Sequence, residues 1–292
     1  MADARAESPP IVLTFAASDP SGGAGVQADL LTLASMGCHP LSVITALTVQ
    51  DTAGVESMLA IDSDWVADQA RCLLEDMQID AIKIGVLGSV ENIAAIAEIV
   101  SDYPGIPLVL DPVLASGRGD ELATDAMMHA LAELLLPHTT LLTPNSMEAR
   151  RLAEGDDDVE PSLAQCAERL IDAGCENVLI TGTHEATPQV VNTLYAKSGV
   201  VRSDTWQRLP GTYHGSGCTL ASALAAMLAN GIALADAARE AQEYTWQALA
   251  KAYRPGMGQL IPDRLFWARD EKEARAEEAG ADAHRSDVRG SH

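Results

Sequence analysis

From residue 11 to about 252 the chain alternates short apolar, β-branched runs with stretches of helical length, and this alternation restricts the fold more than any other feature. Parallel strands need a long crossover between them, and a helix is the usual one. The expected product is an α/β fold: a central, mostly parallel sheet with helices on both faces. Strands are expected over 11–15, 42–49, 81–86, 107–110, 140–142, 177–181 and 190–195. Helices are expected over 24–36, 65–77, 90–100, 122–136, 162–173, 218–229 and 234–252. Gly37 and Gly174 close two of them, and Ser162 with Gln165 three places on forms a capping box. One domain over 11–268 follows, with polar, disordered tails expected at 1–10 and 269–292.

Charge narrows the partners. The 42 acidic against 19 basic residues leave a formal charge of −23, which repels nucleic acid and anionic membrane surfaces and points to small-molecule chemistry. No apolar run reaches the ~18 residues that cross a bilayer, and the first residues lack a signal-peptide core, so a cytoplasmic protein is expected. The five cysteines are scattered and form no C-x-x-C pair, which argues against a disulfide framework or a zinc site. An anionic ligand in such a chain has to lean on backbone amides and a divalent metal.

The stretch His214-Gly215-Ser216-Gly217-Cys218-Thr219 runs into a small-residue helix with Ala221, Ala225 and Ala229 at four-residue spacing. A helix start carries unpaired N–H groups and the positive end of the macrodipole, so Gly215, Ser216, Gly217 and Cys218 can receive a phosphate. The same field is expected to lower the Cys218 thiol below its free value of roughly 8.5 and suit it to accept a proton from an alcohol. The plainer reading is a tight turn with a small buried cysteine. Between Ser18 and Asp29, Gly23-Ala24-Gly25-Val26-Gln27-Ala28 satisfies the dinucleotide pattern G-x-G-x-x-G/A, with Asp51 after the next strand. Here, though, Ala17 to Gly22 separate strand from glycines, unlike a dehydrogenase turn. A P-loop is excluded, because the chain has no Gly-Lys dipeptide. Thr143-Pro144-Asn145-Ser146-Met147-Glu148 sets an amide and a carboxylate at a helix start, where Glu148 can hold Mg²⁺ through water or Asn145 can simply cap.

In chain order, Asp19 to Asp29, Val43 to Gln50, Lys83-Ile84-Gly85, Leu110-Asp111-Pro112-Val113, Thr143-Pro144-Asn145 with Glu148, and His214 to Thr219 resemble the hydroxymethylpyrimidine/phosphomethylpyrimidine kinases of thiamin biosynthesis, over about residues 11 to 265. The resemblance implies a three-layer α/β/α ribokinase-like fold and a homodimer. It implies transfer of phosphoryl groups from ATP, with Mg²⁺, to 4-amino-5-hydroxymethyl-2-methylpyrimidine, first to the monophosphate and then to the diphosphate. By the same resemblance Cys218 activates the acceptor hydroxyl and Gly215, Ser216 and Gly217 complete an anion hole. Ala17, Asp29, Gln50, Val86 and Val113 take the pyrimidine, Asp111, Asn145, Thr181, Gly182 and Thr183 the nucleotide, and Glu148 the metal. Three positions depart from the family pattern: Ala17 where glycine is usual, Val86 where methionine often packs on the ring, and Thr181 where a phosphate-contacting lysine is common. The last removes a positive charge and throws weight onto amides and metal. A pyridoxal kinase, a non-catalytic pyrimidine-binding module and a dehydrogenase are the alternatives.

So acidic a chain is expected to belong to a salt-rich cytoplasm, where screening relieves its self-repulsion. Its melting temperature should rise from low to molar salt; a melt unchanged across the series removes that idea.

Overall fold

A computed structural model describes residues 8–116, 119–154 and 160–269; the tails expected at 1–10 and 269–292 lie outside these, apart from residues 8–10 and Arg269. The first strand, β1 (Ile11–Ser18), is apolar on both faces and lies in the sheet interior, as a parallel strand covered from both sides must. It pairs in parallel with β2 (His39–Gln50) and β4 (Ala81–Ile84), and the parallel run continues through β5 (Leu108–Leu110), β6 (Leu141–Leu142) and β7 (Asn177–Thr181). Antiparallel strands finish the edges: β3 (Val55–Ala60) on one side, β8 (Gln189–Ala196) and β9 (Gly199–Gln207) on the other. The nine described strands run β3-β2-β1-β4-β5-β6-β7-β8-β9.

Alternation along β1 divides the core. Leu13 and Phe15 face the layer of α2 (Ser63–Asp76), α3 (Val90–Ser101), α4 (Asp125–Ala130), α5 (Ser146–Leu152) and α6 (Leu163–Asp172); Val12 faces α1 (Gly25–Ser35), α7 (Ser216–Ala229) and α8 (Leu234–Ala250). The three-layer expectation is met. Helix α7 is buried from Cys218 to Ala226, and its alanines let it lie close to the sheet. Among the described residues no helix is long and apolar enough to cross a membrane.

The sequence reading differs from the structure in two kinds of place. β3 and β9 are strands that the sequence does not mark, because edge strands exposed along much of their length lack the apolar run of a buried one. The helix expected over 122–136 starts later, at the Thr124 cap, and unwinds through a π turn, Leu131–Leu135, into a 3₁₀ turn, Leu136–His138. Pro137 accounts for the ending, since it donates no N–H and its ring disfavours continued α-helix.

Burial between β4 and the α1/α7 layer includes one full ion pair. Lys83, on β4, is wholly buried, with Nζ 2.9 and 3.0 Å from the carboxylate oxygens of Asp29 on α1. Asp29 also accepts from Thr14 Oγ1 on β1 at 2.7 Å and from Ser222 Oγ on α7 at 2.8 Å. Burial alone would lower the lysine's proton affinity, but the Asp29 carboxylate reverses this and holds it charged. Lys83→Met leaves Asp29 buried without a counter-charge and should cost about 3–5 kcal/mol in a urea unfolding series. Adding Asp29→Asn to that variant should recover part of the loss; a single variant as stable as the parent refutes this account.

Candidate active site

The carboxyl ends of β1, β2, β4, β5, β6 and β7 open on one rim, where ligands of open α/β sheets settle. A cavity of ≈ 1280 Å³ lies along it. Ala17, Gln50, Val86 and Val113 line the half of the rim served by β1, β2, β4 and β5; Asn145, Glu148, Thr181 and Thr183 line the other half, and Asp111, Gly215, Ser216, Gly217 and Cys218 line the cavity as well. Two expected residues are not in its wall. The Asp29 carboxylate is spent on Lys83, Thr14 and Ser222, so it braces the site from behind instead of meeting a pyrimidine. Gly182 donates its N–H to Asn192 Oδ1 at 3.0 Å, and a Cβ there would collide with the Val191 carbonyl.

Two glycine-rich turns meet at the centre. Gly215 caps α7 with φ +80°, and a Cβ on it would collide with the carbonyl of Gly23. Thr219 N–H returns to Gly215 O at 3.0 Å, whereas the N–H groups of Ser216, Gly217 and Cys218 have no protein acceptor among the described residues. They are free donors at a helix start, the feature that an anion hole requires. The first turn is shaped by Asp19, whose carboxylate accepts from Ser21 N–H at 2.8 Å, Ser21 Oγ at 3.0 Å and Ala24 N–H at 2.7 Å. His214 Nε2 stands 2.8 Å from the same carboxylate and ties one turn to the other. Burial would raise the Asp19 pKa, but the bonds from His214, Ser21 and Ala24 hold it at about 2. Gln50 Nε2 lies 3.1 Å from the same ring nitrogen, which holds the Gln50 amide beside His214 at the cavity wall.

The thiol corrects one expectation. Burial pushes Cys218 up to about 12; Lys83 pulls it down, Asp111 and Asp29 raise it further, and the Gly25 N–H favours the thiolate. At the first turn of a helix the dipole acts, but desolvation beside two carboxylates outweighs it. Asp111 is the complementary group. Burial raises it to about 7, with Lys83 lowering it, Glu148 and Asp29 raising it, and the Cys218 thiol helping to stabilise its charge. Its Oδ2 is buried and has no hydrogen-bond partner of standard geometry.

Asn145 and Glu148 make the plainer structure considered above, a complete capping box. Asn145 Oδ1 accepts from Met147 and Glu148 N–H at 2.9 and 3.0 Å, and Glu148 Oε2 accepts from Asn145 N–H at 2.9 Å. Burial raises the Glu148 pKa against two backbone N–H bonds. Among the described residues no group of three His, Cys, Asp or Glu side chains is ready to hold a metal alone. Sequence reasoning gave no role to Asp19, Lys83 and His214, although all three stand inside the quoted motifs. It missed Arg264 altogether, since a lone arginine near the end of the domain carries no pattern.

The sequence pattern of the phosphomethylpyrimidine kinase family matches residues 19–263. A hydroxymethylpyrimidine/phosphomethylpyrimidine kinase of Escherichia coli is 38% identical over 241 residues, 82% of this chain and 91% of its own length. A thiamine biosynthesis bifunctional protein ThiED of Geobacter sulfurreducens is 38% identical over 259 residues, 89% of this chain; the chain spans about half of that relative, 53%. Among solved structures, pyridoxal kinase from Staphylococcus aureus in complex with AMP-PCP and pyridoxal superposes with a TM-score of 0.80 at 27% identity, over 90% of this chain and 96% of that one.

The carboxyl with the raised pKa yields a stability prediction. Between the unfolded value of 3.8 and about 7 the folded protein binds the Asp111 proton more tightly than the unfolded chain, so stability falls as pH rises through that window. Asp111→Asn should therefore melt higher than the parent above pH 7, by up to a few kcal/mol in unfolding free energy. The difference should vanish near pH 4; equal melting curves at pH 8 contradict the assignment.

Proposed function

The chain belongs to the phosphomethylpyrimidine kinase family, and from that premise we propose that it transfers the γ-phosphoryl of ATP to the hydroxymethyl oxygen of 4-amino-5-hydroxymethyl-2-methylpyrimidine, and then phosphorylates the monophosphate to the diphosphate. One observation carries this reading: the unpaired N–H groups of residues 216–218 point into a cavity large enough for two ligands, between the residues assigned to pyrimidine and those assigned to nucleotide. Donors fixed in this way stabilise charge spread over a transferring phosphoryl group without reorganising.

As the bond from the γ-phosphorus to its bridging oxygen breaks and the bond to the alcohol oxygen forms, the alcohol must lose a proton. A thiol at about 12 is neutral near pH 7, so it cannot simply take it. In our reading the Cys218 sulfur receives the hydroxyl proton as its own passes to the neighbouring Asp111 carboxylate, whose buried Oδ2 has a free lone pair to accept it. Gln50 orients the ring through its amide, with Val86 and Val113 on the apolar side. Thr181, Thr183 and Asn145 face the nucleotide. Mg²⁺, when bound, neutralises phosphate charge. Glu148 would hold it, and the fit rests on two buried carboxylates, Glu148 and Asp111, of which the first raises the proton affinity of the second. A homodimer in the cytoplasm belongs to the same reading.

Mass spectrometry after incubation with Mg-ATP and the pyrimidine alcohol should show both phosphorylated products, and pyridoxal offered beside it should be the poorer acceptor. A phosphate acceptor is already an anion and needs no base. Cys218→Ala should therefore slow the first phosphorylation by about 10²-fold or more and the second far less. Equal losses in both steps would give Cys218 a different role.

A further inference from the structure

Arg264 is 3% exposed, and its partners are neutral oxygens. Nε donates to Thr219 Oγ1 at 3.0 Å, Nη2 to the carbonyls of Gly23 and, at 3.4 Å, Gly215, and Nη1 reaches the Gly22 carbonyl at 3.5 Å. Among the described residues no carboxylate bonds to it. Its own carbonyl accepts from Ser35 Oγ at 2.6 Å and Tyr244 Oη at 2.7 Å, so its backbone is pinned between the end of α1 and α8. One planar guanidinium thus grips both glycine turns of the site from behind, a geometry that its fork of donors provides and an ammonium does not.

The position is electrostatically unfavourable for a cation. A buried charge normally has a counter-charge in contact; Asp29 acts on this one only at a distance, and it sits at the positive end of α7, whose dipole repels it. Burial accordingly weakens its hold on its proton. An anion arriving on the far side of the same turn removes both objections. It also answers the missing charge at Thr181, since a fixed cation behind the amides takes the place of a lysine in front of them.

Resting on the phosphotransferase reading above, we propose that Arg264 is a positioning residue of phosphoryl transfer. It turns the Gly23 and Gly215 carbonyls away from the cavity, so that the N–H groups of Ser216, Gly217 and Cys218 face the migrating group, and it supplies positive potential behind them. This role is the same in both rounds, unlike that of Cys218.

The test compares Arg264→Lys and Arg264→Ala with the parent in each phosphorylation. Expected is a fall in kcat of about 10²-fold in both steps, with KM for the pyrimidine alcohol changed less than about threefold. Millimolar guanidinium should restore part of the kcat of Arg264→Ala but none of that of Cys218→Ala; a merely structural defect gains nothing from it. Should the alanine variant not fold, the lysine variant carries the comparison. Independently of turnover, inorganic phosphate should bind the parent at least tenfold more tightly than Arg264→Lys. Parental kcat in the variants, a loss confined to KM for the alcohol, or unchanged phosphate affinity overturns the proposal. A parent that binds phosphate in an Arg264-dependent way yet leaves the alcohol unphosphorylated overturns the kinase reading instead.

Discussion

The Lys83–Asp29 pair ties the central strands to the helices that carry the site. Lys83 comes from β4, Asp29 from α1, and the remaining oxygen capacity of that carboxylate is filled by Thr14 on β1 and Ser222 on α7. An ion pair buried this completely holds only if each charge keeps its partners, so the two strands and two helices are fixed relative to one another. Gly85 belongs to the same arrangement, because a Cβ there would lie 2.7 Å from Lys83 Nζ. The N-terminus of α7 is thereby held against that of α1, and its free N–H groups inherit their position from a polar contact beneath them.

Above this base the site is built by backbone approaching backbone. The Gly23 carbonyl and the Gly215 Cα are so close that no side chain fits between them, and Gly23 itself lies against the His214 ring. Glycine is required there by contact as much as by the positive φ of Gly215. The Asp19 carboxylate and the Arg264 guanidinium then hold the two turns from opposite chemical sides, one collecting N–H groups and the other carbonyls. Oriented dipoles held in this way need no rearrangement when charge develops between them.

Electrostatics inside the site run against the simplest view of a helix-terminal cysteine. Lys83 and the Gly25 N–H favour the thiolate, yet burial and the carboxylates of Asp111 and Asp29 leave the thiol protonated. The two groups are thereby split: burial keeps the sulfur protonated, while Asp111 lies near 7. In a chain with a formal charge of −23, positive potential at the rim comes from backbone N–H groups at the start of α7 and from the buried Lys83 and Arg264 beneath it.

The strand and helix alternation fixed the layered fold, because a parallel sheet covered on both faces demands apolar strands and crossover helices in turn. Most strands, the Ser162 capping box and the cavity-lining glycines were legible for that reason. Cys218, Gln50 and Glu148 could be picked out because their motifs are local. What Asp29, Cys218 and Arg264 do was decided only by the tertiary structure. Asp29 looks like a ligand contact until Lys83, 54 residues on, claims it, and the thiol looks acidic until two distant carboxylates are packed beside it. Arg264 has no motif at all and gains its meaning from carbonyls more than 200 residues earlier in the chain. Periodicity and turn chemistry act between neighbours along the chain, whereas desolvation and charge pairing depend on which atoms meet once it has folded.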